Sequence, residues 1–407
     1  MTNPFARCLF WASVFIFNEL LALSPRAASA ELPRTSILRS SDLIEARKRL
    51  QSNDSSLFPA FNKLKRDADD ALRTDPFSVI NKTLSPPSGD KHDYMSIAPY
   101  WWPNPNSPNG LPYVRRDGEI NPDRDKTSDH SALDATIQSV KTLGLAYFFT
   151  GRENYAAQAA KLVRIWFLDD ATMMNPNLKY AQAIPGRNQG RAAGIIETHN
   201  LPELIDAVEL LHGSPAWEAN EQKALQKWFA AYLTWLLESP EGRAESAARN
   251  NHGSWYDVQV ASFALFADRK DPARKIIKEF GSKRIAEQVE PDGRQPRELE
   301  RTQSWNYSLF NLEALFAAAS LGTNLDLDLW NFETPDKRGV RKALDWLLPF
   351  ATGAKKWNYG QIALKPEKLA PLLRQAAIRY HEPLYESAIN ELSGVKADDR
   401  MQLLYCK

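Results

Sequence analysis

Residues 305–321 read WNYSLFNLEALFAAASL, and this stretch decides the fold class. Its large apolar side chains return every three or four positions, at Trp305, Leu309, Leu312 and Phe316. This spacing is typical of one face of an α-helix, because about 3.6 residues complete a helical turn. The same period recurs along the chain, in segments such as Leu43 to Leu72, Ala132 to Phe149, Ala224 to Leu237, Trp255 to Phe266, Ala273 to Val289 and Leu369 to Tyr380.

An even series of helices joined by short turns predicts antiparallel helical hairpins. In a chain of 407 residues, such hairpins must curl around a common axis to bury both faces of their inner helices. We therefore expect an all-α protein built as an incomplete (α/α) toroid. A straight solenoid is the competing architecture, but the sequence has no fixed repeat of the kind that such arrays show.

The helical period stops between Thr83 and Thr127, a segment rich in Pro, Asn, Gly and Asp. A connection this long inside a compact domain is usually either functional or disordered. Disordered segments are poor in aromatic residues, whereas this one is rich in them. We expect an ordered loop over a cleft; the alternative is that its tryptophans plug one end of the toroid. The aromatic residues are Tyr94, Tyr100, Trp101, Trp102 and Tyr113.

The N-terminal segment has the pattern of a secretory signal peptide. Arg7 precedes an apolar run from Cys8 to Leu23, and the stretch ends in Ala-Ser-Ala. The run is shorter than the roughly 20 apolar residues of a membrane span. We therefore expect residues 1–30 to be a cleaved signal peptide and residues 31–407 to form a single catalytic domain. The protein is expected to be periplasmic or secreted, with no membrane association after cleavage.

Composition excludes several classes of partner. The 51 basic and 50 acidic residues nearly balance, whereas nucleic-acid binders carry a strong basic excess. Only Cys406 lies outside the predicted signal peptide, so no internal disulfide is expected. The six histidines show no ligand spacing and no His-Glu-x-x-His motif is present. We expect no metal and no other cofactor, and the sequence does not indicate an oligomeric state.

Three polar segments lie near predicted helix starts: residues 197–200, 249–256 and 297–307. In the second, Ser254 followed by Asp257 resembles a capping box, which predicts a helix that begins at Trp255. Asn251 and His252 would then lie in the turn before that helix. The positive end of the helix dipole favours a bound carboxylate and the neutral form of His252.

In the third polar segment, Thr302 or Ser304 is expected to cap a helix. Arg301 would lie at the start of that helix and Tyr307 in its first turn. The two residues are six positions apart, so they share a face only if the helix begins between them. The structural alternative is that Arg301 pairs with a nearby glutamate on an exposed surface, a contact worth at most about 1 kcal/mol.

These residue types fit an elimination reaction on a 4-linked uronate, in which the C5 proton is removed and the C4 oxygen is expelled. The carboxylate makes C5 a very weak acid, so donors must hold the charge that develops on the carboxylate oxygens. Arg301 can bind a carboxylate through two hydrogen bonds, and Asn200 or Asn251 can donate an amide hydrogen. Tyr307, with an ordinary pKa of about 10, needs activation by Arg301 or His252.

Stereochemistry limits how many groups the reaction needs. In mannuronate and glucuronate the C5 proton and the C4 oxygen lie on the same side of the ring, so one phenol can take the first proton and return it to the oxygen. In guluronate they lie on opposite sides, which requires a second group such as His252.

The chain resembles the α/α-toroid alginate lyases and their relatives that act on other polyuronates. The resemblance rests on Asn250-Asn251-His252, on Arg301 and Tyr307 about fifty residues later, and on residues 94–103, YMSIAPYWWP. It covers about Leu43 to Phe350. It implies β-elimination of an acidic polysaccharide, such as mannuronate-rich alginate or glucuronan.

The same resemblance implies roles for individual residues. Tyr307 would be the catalytic base and acid, and His252 and Arg301 would support it. Either Asn251 or Asn200 would neutralise the substrate carboxylate. Further side chains are expected to contact the sugar chain, partly because aromatic planes pack well on sugar rings: Tyr94, Tyr100, Trp101, Lys91, His199, Trp255, Tyr256 and Arg297.

Two other functions remain open from the sequence. A glycoside hydrolase would need two carboxyl groups about 5 to 9.5 Å apart, for which Glu197, Asp257, Glu298 and Glu300 are candidates. A carbohydrate-binding protein without turnover would need no catalytic group at all.

Overall fold

Helices that follow each other along the chain are buried to different degrees. Helix α8 (Asn251–Phe266) is buried along almost its whole length. The next helix, α9 (Lys270–Phe280), buries only Ala273, Ile277 and Phe280, which form a single stripe. A helix that is buried all round lies inside a structure, whereas a helix with one apolar stripe lies on its surface. The chain therefore forms an inner and an outer layer of helices.

The computed structural model describes residues 33–406. Within this range the α-helices are α1 (Ser40–Gln51), α2 (Phe58–Ala71), α3 (Asp129–Thr150), α4 (Glu153–Phe167), α5 (Leu201–Glu209), α6 (Ala219–Glu238), α7 (Pro240–Ser246), α8, α9, α10 (Ala286–Gln288), α11 (Pro296–Leu299), α12 (Ser304–Thr323), α13 (Val340–Ala351), α14 (Ala370–Tyr380), α15 (Pro383–Glu391) and α16 (Met401–Leu404). The strands are β1 (Met95–Ile97), β2 (Trp101–Trp102), β3 (Val114–Arg115) and β4 (Tyr180–Ala183).

The inner layer consists of α3, α5, α8 and α12, which contact one another in that order. The outer helices pack against them: α4 on α3, α6 and α9 on α8, and α13 on α12. This arrangement confirms the predicted all-α fold, an incomplete (α/α) toroid. The short strands pair in the connections, β1 with β4 in parallel and β2 with β3 antiparallel.

Two predicted helical segments are interrupted. Leu43 to Leu72 is divided into α1 and α2, because Asn53 adopts a left-handed backbone conformation with φ of 62° between them. The side chain of Asp54 then accepts a hydrogen bond from the Ser56 backbone and starts a new helical turn. Ala273 to Val289 keeps its direction, but a π-helical turn (Gly281–Ile285) separates α9 from α10.

Helix α8 begins four residues earlier than predicted. The backbone N–H of Asn251 donates to Oε1 of Glu298 at 2.7 Å, so a carboxylate from α11 satisfies the helix end. Ser254 instead donates to Gln288 at 2.9 Å, and Asp257 pairs with Arg284. The capping-box prediction is wrong because a distant side chain took the place of the local one.

The segment before α1 is tied to the inner helices. Asp206 of α5 accepts hydrogen bonds from the backbone N–H groups of Ser36, Ile37 and Leu38, at 2.5, 3.0 and 2.7 Å. Asn324, just after α12, donates to the Ser36 carbonyl at 2.8 Å. These contacts connect α5 and the end of α12 to the same short backbone segment, residues 36–38.

The residues from Pro33 onward form one compact unit. Within residues 33–406, no helix has both the length and the apolar character that a membrane span requires. The predicted signal peptide lies outside the described residues.

Candidate active site

Most of the predicted site residues meet in one cavity of about 410 Å³, which we call the Tyr307 cavity. Its walls come from the start of α8, from the turn before α12, from residues 182–199 and from the aromatic-rich segment 83–127, which we call the aromatic loop. The predicted residues that line it are Tyr100, Trp101, His199, Asn251, His252, Arg301 and Tyr307.

Tyr307 lies in the first turns of α12, which begins at Ser304 and so between Arg301 and Tyr307, as predicted. Its hydroxyl is 2.7 Å from the Tyr100 hydroxyl. The Arg301 guanidinium carbon lies 3.7 Å from the centre of the Tyr307 ring. Burial raises the pKa of Tyr307 far above its ordinary value and Tyr100 raises it further, whereas Arg301 lowers it. The phenol is therefore protonated at neutral pH.

Arg301 is held by a bidentate contact with Asp117 of the aromatic loop. Its Nε and Nη2 donate to the Asp117 carboxylate at 3.1 and 2.7 Å. Burial raises the pKa of Asp117, but the bonds from Arg301 outweigh that effect and keep the carboxyl well below its usual range. Asp117 thus compensates the charge of Arg301 and fixes its guanidinium over the Tyr307 ring.

His252 is paired with a buried carboxylate that the sequence did not indicate. Its Nδ1 lies 2.5 Å from Oε1 of Glu245, whose side chain is 4% exposed. When Nδ1 carries the proton that this contact requires, Nε2 is left as the acceptor nitrogen. Glu245 lies on α7 and His252 on α8, so no helical spacing relates the two residues.

The two candidate asparagines lie in different places. Asn251 lines the Tyr307 cavity, and its Nδ2 donates to Oε2 of Glu298 at 2.7 Å. Asn200 precedes α5, donates to Asp134 at 2.9 Å, and lines a second cavity. The structure therefore brings Asn251, and not Asn200, together with Tyr307.

The second cavity measures about 460 Å³ and lies among the inner helices; we call it the Glu313 cavity. Trp255 lines it rather than the Tyr307 cavity. His199 lines both, and its ring packs edge-on against Trp255 and Phe310 at 5.1 and 4.9 Å between centroids. The His199 ring thus lies between the two cavities. Burial lowers the pKa of its imidazole, which favours the neutral form.

Besides Trp255, four of the predicted sugar contacts do not line the Tyr307 cavity. Tyr94 is fully buried and donates to Glu197 at 2.8 Å, and Tyr256 is buried and donates to the Leu236 carbonyl at 2.8 Å. Neither ring lines either of the two cavities, so the structure gives no support to their predicted contact with the sugar chain. Lys91 and Arg297 are exposed, but they line neither of the two cavities.

Sequence reasoning missed several polar residues of the Tyr307 cavity. Arg191 and Gln182 come from the non-helical stretch between α4 and α5, whose lack of helical period was the available signal. With Arg301 included, four arginines line the cavity, which favours an anionic ligand. The missed residues are Arg124, His130, Gln182 and Arg191; Glu197, which was considered only as a carboxylate of a hydrolase, and Arg115 also line the cavity.

The carboxyl groups do not fit a hydrolase. Among the described residues, Glu197 is the one carboxylate that lines the Tyr307 cavity. Asp257 is bound by Arg284, Glu298 by Asn251, and Glu300 is exposed. A hydrolytic mechanism needs two carboxyl groups that face the same bond.

In residues 33–406 no three or more His, Cys, Asp or Glu side chains are grouped in a way that could hold a metal ion.

Comparisons with known proteins give a consistent result. A family model described as alginate lyase matches residues 78–357. A crystal structure of an alginate lyase from Bacteroides ovatus is 40% identical, with a TM-score of 0.88 over 92% of this chain and 99% of that one. No curated protein matches.

More distant solved structures share the fold. Alginate lyase A1-III from Sphingomonas species A1 is 14% identical, with a TM-score of 0.55 over 86% of this chain and 96% of that one. A His→Ala variant of A1-III, complexed with a tetrasaccharide, has a TM-score of 0.58 at 14% identity over 93% of this chain and 98% of that one.

Proposed function

Because this chain belongs to the alginate lyase family and is a polysaccharide lyase, we propose that it cleaves mannuronate-rich alginate by β-elimination at Tyr307. The observation that carries the proposal is that His252 from one segment and Arg301 and Tyr307 from another line one arginine-rich cavity. The name of the Bacteroides ovatus relative, an alginate lyase at 40% identity, supports alginate over other polyuronates.

In the proposed reaction, the C5–H bond breaks and its electron pair forms the C4=C5 double bond. The C4–O4 bond breaks at the same time, and O4 takes up a proton. On mannuronate, the Tyr307 oxygen removes the C5 proton and returns it to O4 on the same side of the ring. Tyr307 must lose its own proton first, and the Arg301 guanidinium beside its ring stabilises the phenolate that results.

On guluronate, two groups share the work. His252, paired with Glu245, presents Nε2 as the base for the C5 proton. Tyr307 is already protonated and donates to O4 from the opposite side. The same cavity can therefore act on both epimers, with Tyr307 in a different protonation state for each.

Asn251 is the proposed amide donor to the carboxylate of the reacting residue. One hydrogen of its Nδ2 is used by Glu298, and the second remains for the substrate. The bond to Glu298 fixes the orientation of the amide, so the donor is aimed before the negative charge develops.

The test is incubation of the protein with polymannuronate, polyguluronate or glucuronan, monitored by ultraviolet absorbance of the conjugated double bond. We expect the largest increase with polymannuronate. Tyr307→Phe should abolish the increase, whereas Tyr256→Phe, which removes a buried hydroxyl outside the cavity, should retain it. New reducing ends without absorbance would instead indicate a hydrolase, and binding without any product would indicate a binding protein.

We also propose that the protein is exported with cleavage after Ala30, on the basis of the N-terminal pattern. N-terminal sequencing of the protein recovered from the periplasm and the medium tests this. We expect the sequence to begin at Glu31; an intact N-terminus would contradict export by this route.

A further inference from the structure

Four arginines line the Tyr307 cavity, and three of them have ion-pair partners. Arg301 and Arg115 both pair with Asp117 at 2.7 Å, and Arg124 pairs with the adjacent aspartate at 3.4 Å. Arg191 is different, because no carboxylate in residues 33–406 lies within ion-pair distance of its guanidinium. Of the four arginines that line the Tyr307 cavity, Arg191 is therefore the one that forms no ion pair with a described residue.

Arg191 is partly withdrawn from water, which makes its lack of a counter-ion costly. Its Nε is buried without a hydrogen-bond partner, and burial lowers the pKa of the guanidinium. Of the carboxylates that act on it from a distance, Glu197 is bound by two hydroxyls and Glu245 by His252. Both carboxylates favour the charged guanidinium from a distance, but neither forms an ion pair with it.

A neighbouring side chain holds Arg191 without neutralising it. Nη2 of Arg191 donates to Oε1 of Gln182 at 2.5 Å. Gln182 is buried on β4 and adopts a left-handed φ of 49°, a conformation that costs free energy for a residue other than glycine. Its backbone N–H is held by Ser96 Oγ at 2.7 Å. The surrounding structure thus maintains a strained residue whose neutral side chain orients the guanidinium of Arg191 without forming an ion pair with it.

We propose that Arg191 binds a uronate carboxylate in the Tyr307 cavity and that Gln182 is its positioning residue. The identity of the ligand as a polyuronate rests on the proposed function. A planar guanidinium matches a carboxylate through two parallel hydrogen bonds, and the ligand supplies the missing negative charge. Arg301, whose Nε and Nη2 are taken by Asp117, serves Tyr307 rather than the substrate carboxylate.

The experiment measures binding of a mannuronate tetrasaccharide by calorimetry in a Tyr307→Phe background, so that turnover does not interfere. We expect Arg191→Gln to weaken binding by about 10- to 100-fold, as for the loss of a charge-assisted contact. Arg191→Lys should recover part of that loss. The control is Arg294→Gln, which removes the same charge from an exposed ion pair with Asp292 outside both cavities, and should change affinity by less than about threefold.

A second variant separates ligand binding from a structural role. Gln182→Glu places an internal carboxylate against Arg191, where it competes with the ligand. We expect a higher melting temperature together with about tenfold weaker binding. A purely structural role for Arg191 predicts no such opposition between stability and affinity.

The proposal is overturned if Arg191→Gln binds as tightly as Arg294→Gln, if Gln182→Glu leaves affinity unchanged, or if the Tyr307→Phe parent does not bind the tetrasaccharide. Failure of the proposed function gives a different result, namely Arg191-dependent binding by a protein that forms no ultraviolet-absorbing product.

Discussion

Tyr307 has two tasks that require opposite protonation states. As the base for mannuronate it must be ionised, whereas as the acid for guluronate it must be protonated. Burial raises its pKa and so favours the acid form in the free protein. The single residue therefore links the choice of epimer to pH.

We expect the two polymers to have different pH profiles. Because the raised pKa leaves little phenolate at neutral pH, the rate on polymannuronate should increase by up to about tenfold per pH unit into the alkaline range. The rate on polyguluronate should level off at lower pH, since Tyr307 acts there in its protonated form. Initial rates on both polymers across the same pH series test this, and superimposable profiles would contradict it.

Glu245 acts at the same scale, through His252. Glu245→Gln should lower kcat on polyguluronate by about 10- to 100-fold, the usual cost of losing a carboxylate that orients a functional histidine. KM should change little, because Glu245 does not line the cavity. Glu241→Gln on the same helix is the control. A change in KM alone would place Glu245 in substrate binding instead.

At the scale of elements, the turn from α7 to α8 is fixed by one buried arginine. Arg284 is 2% exposed, and its guanidinium donates to the Ser246 and Ala248 carbonyls at 2.8 and 2.6 Å. Its Nε also donates to Asp257 at 2.7 Å. A Cβ on Gly253 would lie 2.2 Å from this guanidinium, so glycine is needed for the close approach. The contacts of Arg284 thus connect the two helices that carry Glu245 and His252.

Arg284→Met should therefore destabilise the protein by about 3–5 kcal/mol, because it removes the partner that Asp257 bonds most closely and leaves this buried carboxylate with the longer contact to Lys283 at 3.4 Å. Chemical denaturation measures the free energy of unfolding. Arg294→Met, which breaks an exposed pair with Asp292, should cost at most about 1 kcal/mol. Equal losses in both variants would show that the buried contacts of Arg284 stabilise the protein no more than an exposed ion pair does.

The elements also show where sequence reasoning succeeds and where it stops. Helix α12 was predicted from its own apolar period, and it begins between Arg301 and Tyr307 as expected. The predicted cap is wrong, because the Thr302 hydroxyl donates to Asp117 and the Ser304 hydroxyl to the Gly360 carbonyl, so neither caps the helix. The start of α8 was missed because Glu298, which caps it, is 47 positions away. Likewise, nothing in a non-helical segment distinguishes Tyr94, which is buried, from Tyr100, which lines the cavity.

At the scale of the whole molecule, charge is separated in a way that composition conceals. The Tyr307 cavity collects four arginines, whereas the Glu313 cavity is lined by Asp134, Glu203, Glu313 and Asp399 with two cations. The totals of 51 and 50 charges nearly cancel, so the sequence predicted neutrality and not this division. An acidic polymer is attracted to the first cavity and repelled from the second.

The contacts of Asp206 are the second feature of the whole molecule. Asp206→Ala would leave three backbone N–H groups without acceptors, each at a cost of about 1–3 kcal/mol if it stays buried. We expect a loss of at least about 3 kcal/mol in stability, measured by thermal unfolding. Asp70→Ala, which breaks an exposed pair with Arg73, is the control. A loss no greater than that of the control would mean that the hydrogen bonds between Asp206 and residues 36–38 do not stabilise the fold.

The hydrogen bonds of residues 36–38 with Asp206 and Asn324 determine an order of events in folding. Ser36 bonds to Asp206, 170 positions later, and to Asn324, 288 positions later. Joining such remote partners is entropically expensive and slow. The ring can therefore close only after α5 and α12 have been brought together, and residues 36–38, which precede every helix of the ring, are among the last to reach their native positions.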